Sequence, residues 1–584
     1  MQAKEQGAII IDYFNKILIS YIEGHNAKGC RECLLKRFIN TRKDRLYVKN
    51  NQYYCRNIQL YESIVSGIID KLKDDDELID LNGRRAFYIF DKLNFSIDRD
   101  FFLPVPDCGC CGDLEEDSAE AMIKVGENMI KNINCEEKIP FRSKKKEELY
   151  DKLVSTILSK NVGIVTTLMD STAGPLPLAV ALLPVENGND EPGSGRMSSI
   201  ESSRAVAMLE AIERYAGFMP RGKKTIIYDS YNNLYKTNRI IDIKKIILHE
   251  DSLSMNSKYE NNVFRFNYNQ NYHWVFGYNI TTREAVLIPE TLGYYGMKLK
   301  SDEYNKENFV YEISNGCSVG STVLESAYYG ALEVIERDAF LSTWYTSRKI
   351  KKLIIDTYAF EGGDRLCEEI EKFKDYYDDF DINFYDITND VEIPTVLATM
   401  KRRHVDKRKM NFMCAAAADI DIVASINKSL HELSSVYLGF QEKFETEYER
   451  MEYLTNDLSN VEDMLDHSLV YGYYKNLNKI HFDKNVVNEE KLSDKLNERK
   501  YYLNTAYKRL IENLKKIDKE IIIVDQTTEE MRHMGIYCTK TLIPGLLPMT
   551  FNAKNVRISR SRIDEMQKKQ DEELKVRFLP HPFP

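Results

Sequence analysis

Leu209-Glu-Ala-Ile-Glu-Arg-Tyr-Ala216 recurs downstream as Leu332-Glu-Val-Ile-Glu-Arg-Asp-Ala339, identical at six of eight positions. Ala205–Leu209 leads into the first copy and Ala327–Leu332 into the second, and both runs are apolar almost all round. A helix of that kind is predicted to be buried. Glu210 and Glu213 stand three apart, so they share a face, and Arg214 falls on the same side. Glu325 joins the second copy. At about 100° per residue, Glu325, Glu333 and Glu336 fall within an arc of about 80°.

The plain alternative makes Glu210–Arg214 and Glu333–Arg337 ordinary ion pairs, which contribute only a few tenths of a kcal/mol on a solvated helix. Against it, five carboxylates (Glu210, Glu213, Glu325, Glu333 and Glu336) meet only two arginines on helices with little polar surface. A buried carboxylate needs a cation. Magnesium takes oxygen ligands, commonly one or two carboxylates plus substrate phosphates. The pattern therefore predicts a nucleotide–magnesium site walled by two helices, with Arg214 and Arg337 near the phosphates. No Gly-x-x-x-x-Gly-Lys-Ser/Thr and no Gly-x-Gly-x-x-Gly occurs, so a nucleotide must be held by another arrangement.

The remaining chain is ordinary globular sequence: 584 residues, 43% hydrophobic and 29% charged. At roughly 150 residues per domain its length suggests about four units. A net charge of −10, from 81 basic and 91 acidic residues, argues against a nucleic-acid binder. Met1–Ile22 has no signal-peptide hydrophobic region, and no apolar run is long enough to span a bilayer. Eleven cysteines, odd in number and unevenly spread, do not read as a secreted disulfide framework. The expectation is a cytoplasmic protein with no membrane partner.

Glu147–Leu158 is apolar at helical spacing, and Gly163–Leu168 reads as a strand. Strand and helix signals then alternate to about residue 435. Gln441–Asn513 reads as helices with loops, and Ile521–Val524 as a last strand. The fold class is α/β (α+β), with a small mixed domain over 1–112, a polar linker over 113–146 and the main domain over 147–584.

Cys30-Arg-Glu-Cys33 and Cys108-Gly-Cys110-Cys111 have the paired form of a tetrahedral structural zinc site. Cys110 leaves the second pair open between Cys108/Cys111 and Cys110/Cys111, and a redox pair is the runner-up. The chain closes with Pro580-His-Pro-Phe-Pro584, whose alternating prolines make a stiff, extended segment. Read alone, such a segment is a frayed end.

Ser314-Asn-Gly-Cys-Ser-Val-Gly-Ser-Thr322, leading into Glu325 and Leu332–Arg337, resembles the second ATP-binding motif of the YcaO family. Gly193-Ser-Gly195 followed by Glu210-Ala-Ile-Glu-Arg214 resembles the first, and Gly535–Gly545 resembles a third family stretch. The resemblance runs from about Lys146 onward and implies a YcaO-type ATP-binding domain. It implies ATP and magnesium held by Glu210, Glu213, Arg214, Ser321, Glu325, Glu333, Glu336, Arg337 and Lys540. The sequence departs from the family where Ser194 replaces a Lys, Ser321 an Asn and Lys540 an Arg. A Lys cannot reproduce bidentate phosphate contacts. The Gln and Arg that often follow Leu430-His-Glu-Leu433 in the family are not found.

A Pro-x-Pro-x-Pro end resembles that of the azoline-forming branch, which implies a catalytic carboxylate at Pro584. His581 within it has a ring whose intrinsic pKa suits proton transfer. The cysteine segments resemble the zinc-binding part of a ThiF-like domain, truncated here, which implies Cys30, Cys33, Cys108 and Cys111 as zinc ligands. The implied activity is ATP-dependent cyclodehydration of Cys, Ser or Thr in a ribosomal precursor peptide to thiazoline or oxazoline. The implied partners are that peptide and a separate ThiF-like leader-binding protein, with room for a flavin dehydrogenase and a homodimer. Thioamide or amidine formation, or a non-catalytic peptide-binding scaffold, are the alternatives.

Overall fold

The computed structural model describes residues 7–23, 28–42, 58–171, 174–185, 188–248, 263–297, 302–496, 501–570 and 574–584. Strands β1 (Gly7–Tyr13), β2 (Lys16–Ile22), β3 (Arg85–Asp91) and β4 (Ile97–Phe102) form an antiparallel sheet in sequence order. Side-chain direction alternates along each strand, which lets one sheet fill two cores. Leu18, Phe87 and Ile89 pack with α1 (Arg31–Asn40), whereas Ile17, Ile19, Ala86, Tyr88 and Phe90 pack with α2 (Glu62–Lys73).

The stretch 113–146, expected as a polar and partly helical connection, carries α3 (Ala119–Ile133). Its Met122, Met129 and Ile133 form one helical stripe, buried in the core of the six-stranded sheet described below. The exposed remainder of the helix is what gives the stretch its polar composition. Helix α4 (Lys146–Ile157) follows. The strand expected at Gly163–Leu168 begins only at Thr167, because Gly163 closes a turn by donating its amide to the Ser159 carbonyl at 2.9 Å.

β5 (Thr167–Ser171), β6 (Leu178–Pro184) and β7 (Asp190–Arg196) form a three-stranded antiparallel sheet. Helix α5 (Ile200–Phe218) lies directly on it, and Gly193 and Gly195 permit the contact. A Cβ on Gly195 would stand 2.0 Å from the Ser203 carbonyl oxygen, and one on Gly193 2.4 Å from that of Ala207. Glycine is required there by close backbone approach.

β8 (Ile227–Ser230), β9 (Asn271–Asn279), β10 (Glu284–Pro289) and β11 (Cys317–Gly320) enter a six-stranded sheet. β12 (Ile350–Ile354), β13 (Phe380–Asp386), β14 (Thr395–Arg402), β15 (Phe412–Ala418) and β16 (Val486–Lys491) build a five-stranded one, ordered β15-β14-β13-β12-β16. β17 (Ile522–Asp525) and β18 (Tyr537–Leu542) return to the six-stranded sheet, ordered β10-β9-β17-β18-β11 with β8 on β9. The β12–β16 pairing is parallel. β16 lies inside the stretch expected to be helical, and its mostly exposed Val-Val-Asn-Glu-Glu-Lys sequence at a sheet edge carries no strand-like alternation.

Helix α6 (Val323–Tyr345) joins the two large sheets. Leu324, Ala327, Leu332 and Ile335 belong to the core of the six-stranded sheet, and Ala339, Phe340, Leu341 and Trp344 to that of the five-stranded one. Serving two cores is why the helix is apolar almost all round. Glu333, Glu336 and Arg337 therefore sit where the two cores meet. Helix α7 (Ile422–Thr446) covers β14 and β15, and α8 (Met464–Gly472) packs beside it. Among the described residues no helix is long and apolar enough to cross a membrane.

Candidate active site

Five acids face one another across three helices: Glu210 and Glu213 on α5, Glu333 and Glu336 on α6, and Glu432 on α7. Burial, then Glu333 and Glu210, push Glu213 well above the usual carboxylate range. Burial pushes Glu336 up to about 8, with Glu432 and Glu333 adding to it and Arg337 opposing. Glu333 and Glu432 are raised as well, again chiefly by burial. Glu213, Glu333, Glu336 and Glu432 are costly to ionise because they are buried, and for Glu213, Glu336 and Glu432 neighbouring acids add to the cost.

Arg337 points Nη2 at Glu333 (3.6 Å) and Nε at Glu336 (3.7 Å). The Gly316 amide donates to Glu333 at 3.2 Å and the Ala418 amide to Glu336 at 3.3 Å. Arg214 donates to Glu210 at 2.9 Å and faces Glu191 at 3.5 Å, while the Ser194 amide donates to the other Glu210 oxygen at 2.7 Å. Arg337 Nη1 and Arg214 Nε are buried without a hydrogen-bond partner among the described residues. Surplus carboxylates beside unspent guanidinium N–H groups are the donor set for magnesium and phosphate together.

Not every expected residue enters this cluster. Glu325, buried at the start of α6, accepts from Arg142 at 2.6 Å and from the Ser321 amide at 3.2 Å. Ser321 also hydrogen-bonds Glu325 and Ser143 through its hydroxyl. The guanidinium of Arg142 lies 3.9 Å from the Tyr329 ring centroid. Lys540 is fully buried on β18 and donates to Glu312 and to the Ile313 carbonyl, both at 2.9 Å. Burial would raise Glu312, but Lys540 and Arg557 outweigh it and hold the acid below its usual range. Sequence reasoning missed Glu432 and Arg142. An acid between the fully buried Leu430 and Leu433 was a signal for Glu432, whereas nothing singles out Arg142 within its basic run. Gly316-Cys-Ser-Val-Gly320 has the spacing of a hydrolase nucleophile elbow. Ser318, however, lies inside β11 with its hydroxyl donating to the Ser326 carbonyl.

The closing segment is docked, not frayed. Trp344 Nε1 donates to the Leu579 carbonyl (3.0 Å), Tyr471 to that of Pro580 (2.6 Å), His467 Nδ1 to that of His581 (2.9 Å) and Ser468 to that of Pro582 (3.1 Å). His581 is fully buried and donates from Nε2 to the Thr550 carbonyl at 2.9 Å. Burial, then the neighbouring His467, hold its pKa well below the usual range, so the ring is neutral.

The sulfurs of Cys30, Cys33, Cys108 and Cys111 lie within 4.8 Å of one another, while Cys110 is exposed and outside the group. Cys30–Cys108 is 3.5 Å, Cys33–Cys111 is 3.3 Å and Cys30–Cys33 is 3.9 Å. A tetrahedral zinc with bonds of about 2.3 Å sets its sulfurs about 3.8 Å apart, so the donors fit.

An α/β fold that gathers glutamates instead of a phosphate-binding loop defines a class of nucleotide- and magnesium-dependent enzyme. A family model described as YcaO cyclodehydratase, ATP- and Mg2+-binding, matches residues 194–547, and the chain belongs to that family. No curated protein matches by sequence. A solved heterocyclase in complex with substrate and cofactor is similar over 100% of this chain and 78% of its own, at 17% identity and a TM-score of 0.71. The heterocyclase TruD is similar over 99% of this chain and 74% of its own, at 17% identity and a TM-score of 0.63. YcaO from Methanopyrus kandleri, bound with AMPPCP and Mg2+, covers 72% of this chain and 95% of its own, at 16% identity and a TM-score of 0.46. At these identities the first two likenesses establish the fold.

Proposed function

We propose that this protein is an ATP-dependent cyclodehydratase that converts Cys, Ser or Thr of a ribosomal precursor peptide into thiazoline or oxazoline. The side-chain nucleophile adds to the preceding backbone carbonyl, the former amide oxygen departs, and the ring closes with net loss of water. ATP with magnesium supplies the phosphoryl group that makes this oxygen a leaving group. The excess of carboxylate over cation where α5, α6 and α7 meet carries the reading.

Glu210, Glu213, Glu333, Glu336 and Glu432 hold the magnesium–nucleotide, with Glu325 and Ser321 completing the wall. Arg337 Nη1 and Arg214 Nε are the donors left for phosphate oxygens. Lys540 supports this wall from behind by fixing Glu312. His581, buried and neutral, holds the 580–584 segment in place through the Thr550 carbonyl. Cys30, Cys33, Cys108 and Cys111 bind a structural zinc. A separate ThiF-like protein recruits the leader peptide in the cytoplasm.

Mass spectrometry of a co-encoded precursor peptide tests this, with ATP and magnesium, with and without a ThiF-like partner. The expected result is loss of one water per ring, abolished by Glu336→Ala. No loss under either condition, together with no ATP turnover, would overturn the enzyme reading and favour the scaffold.

A further inference from the structure

The guanidinium of Arg337 is enclosed on three sides. Glu333 and Glu336 face two of its nitrogens, and the Phe583 ring covers one face, with its centroid 4.2 Å from the guanidinium carbon. Only Nη1 is left without a partner among the described residues, and it is buried. Phe583 is itself fully buried and fixed from the same helix. Phe340, one turn beyond Arg337 on α6, meets its ring edge-on with centroids 4.6 Å apart.

The backbone leading up to that ring is held by side chains outside the glutamate cluster. Tyr471, His467 and Ser468, all on α8, bind three successive carbonyls from Pro580 to Pro582. Trp344 binds the carbonyl before them. Four consecutive backbone anchors are far more than is needed to bury one apolar side chain. They set the height and tilt of Phe583 over Arg337.

We propose that Phe583 is a positioning residue for the nucleotide: docked by α8, its ring clamps the Arg337 guanidinium so that Nη1 alone faces the phosphate. This deepens the proposed function and rests on it. A ring face over a guanidinium is attractive and leaves the N–H edge free, whereas an aliphatic side chain would give packing without that directional hold. Without the clamp, Arg337 has two carboxylates to turn toward, and its phosphate-directed hydrogen bond is lost.

The test measures MgATP binding calorimetrically on full-length wild type, Phe583→Leu and Phe583→Tyr, with melting temperatures in parallel. A desolvated cation–π contact predicts about tenfold weaker MgATP binding for Phe583→Leu and near-native binding for Phe583→Tyr, which keeps the ring face. Unchanged affinity in Phe583→Leu would overturn the clamp alone, while a wild type that binds no MgATP would overturn the proposed function with it. If Phe583→Leu also undocks the segment, shown by a lowered melting temperature, Phe583→Tyr decides. Native affinity there sustains the clamp, and weakened affinity at a native melting temperature overturns it.

Discussion

Arg37 and Glu530, 493 positions apart in the chain, form a buried ion pair at 2.7 Å. Arg37 lies one helical turn beyond Cys33 on α1, and its Nη1 also donates to the Tyr215 hydroxyl at 3.4 Å. Tyr215 neighbours Arg214 on α5, so this pair joins the four-cysteine unit to the helix that carries Glu210 and Glu213. Arg37→Met leaves Glu530 buried without its cation. The expected loss is about 3–5 kcal/mol of stability, read as a lower urea midpoint. Replacing both residues by apolar ones should recover much of it, because no lone charge then remains inside. A single substitution that costs nothing would mean the pair is solvated.

Gly195→Ala tests whether the Gly193-Ser-Gly195 motif is a packing device. The new methyl would meet the Ser203 carbonyl at 2.0 Å, and backbone cannot yield as a side chain does. Helix α5 must lift from β7, carrying Glu210 away from the Ser194 amide. Loss of ATP turnover together with a lower melting temperature is expected, whereas Ser194→Ala, which keeps the backbone donor, should retain the fold. A native melting temperature for Gly195→Ala would refute the close-packing argument.

What could be read from the chain, and what could not, divides by locality. Glu210, Glu213, Glu333 and Glu336 were legible because an acid inside an apolar helix is a local anomaly, and it occurs twice in the same pattern. Arg142 was illegible for the opposite reason: its basic neighbours hide it, and its partner Glu325 lies 183 positions away. The buried stripe of α3 is four residues, Met122, Gly126, Met129 and Ile133, among charged neighbours, so the stretch reads as polar although part of it is helix. The docking of Leu579–Pro584 depends on α8 and Trp344, contacts that no local pattern links to an alternating proline sequence. The choice of Cys108 over Cys110 was likewise made by a turn in which the Gly112 amide returns to the Cys108 carbonyl at 2.8 Å.

Cys33→Ser tests the metal assignment. Cys33 is fully buried and accepts the Val105 amide at 3.3 Å while facing Cys111 and Cys30. Atomic spectrometry should find one zinc per wild-type chain and little in the variant. The variant should melt at a lower temperature, since binding energy at a structural site is folding energy. A metal-free wild type of unchanged stability after chelation would refute it.

Protons should leave when the nucleotide binds. With Glu336 raised to about 8, much of it is protonated at pH 7, and a divalent cation favours the ionised form. MgATP affinity should therefore rise between pH 6 and pH 8, approximate limits set by that shift. Calorimetry in buffers of different ionisation enthalpy should show net proton release, reduced in Glu336→Gln. The free protein should show the opposite trend. An acid whose folded pKa lies above its unfolded value stabilises below the unfolded pKa, and that stability is lost as pH rises through the folded one. A pH-independent affinity would mean that Glu336 is already ionised.

At acid pH the closing segment should be a weak point of the fold. His467 is fully buried on α8, its ring centroid 4.3 Å from that of His581, and burial lowers its pKa from 6.5 to about 4. Its depressed folded pKa means that the unfolded chain takes up the proton first. Stability is therefore intact above about pH 6.5 and falls as the pH drops toward about 4, by about 3 kcal/mol from this group alone. His581, shifted further the same way, steepens the loss. His467→Asn places an amide N–H where Nδ1 meets the His581 carbonyl but cannot titrate, so its melting temperature should depend less on pH across that window. Equal slopes for wild type and variant would show that His467 is accessible to protons in the folded state.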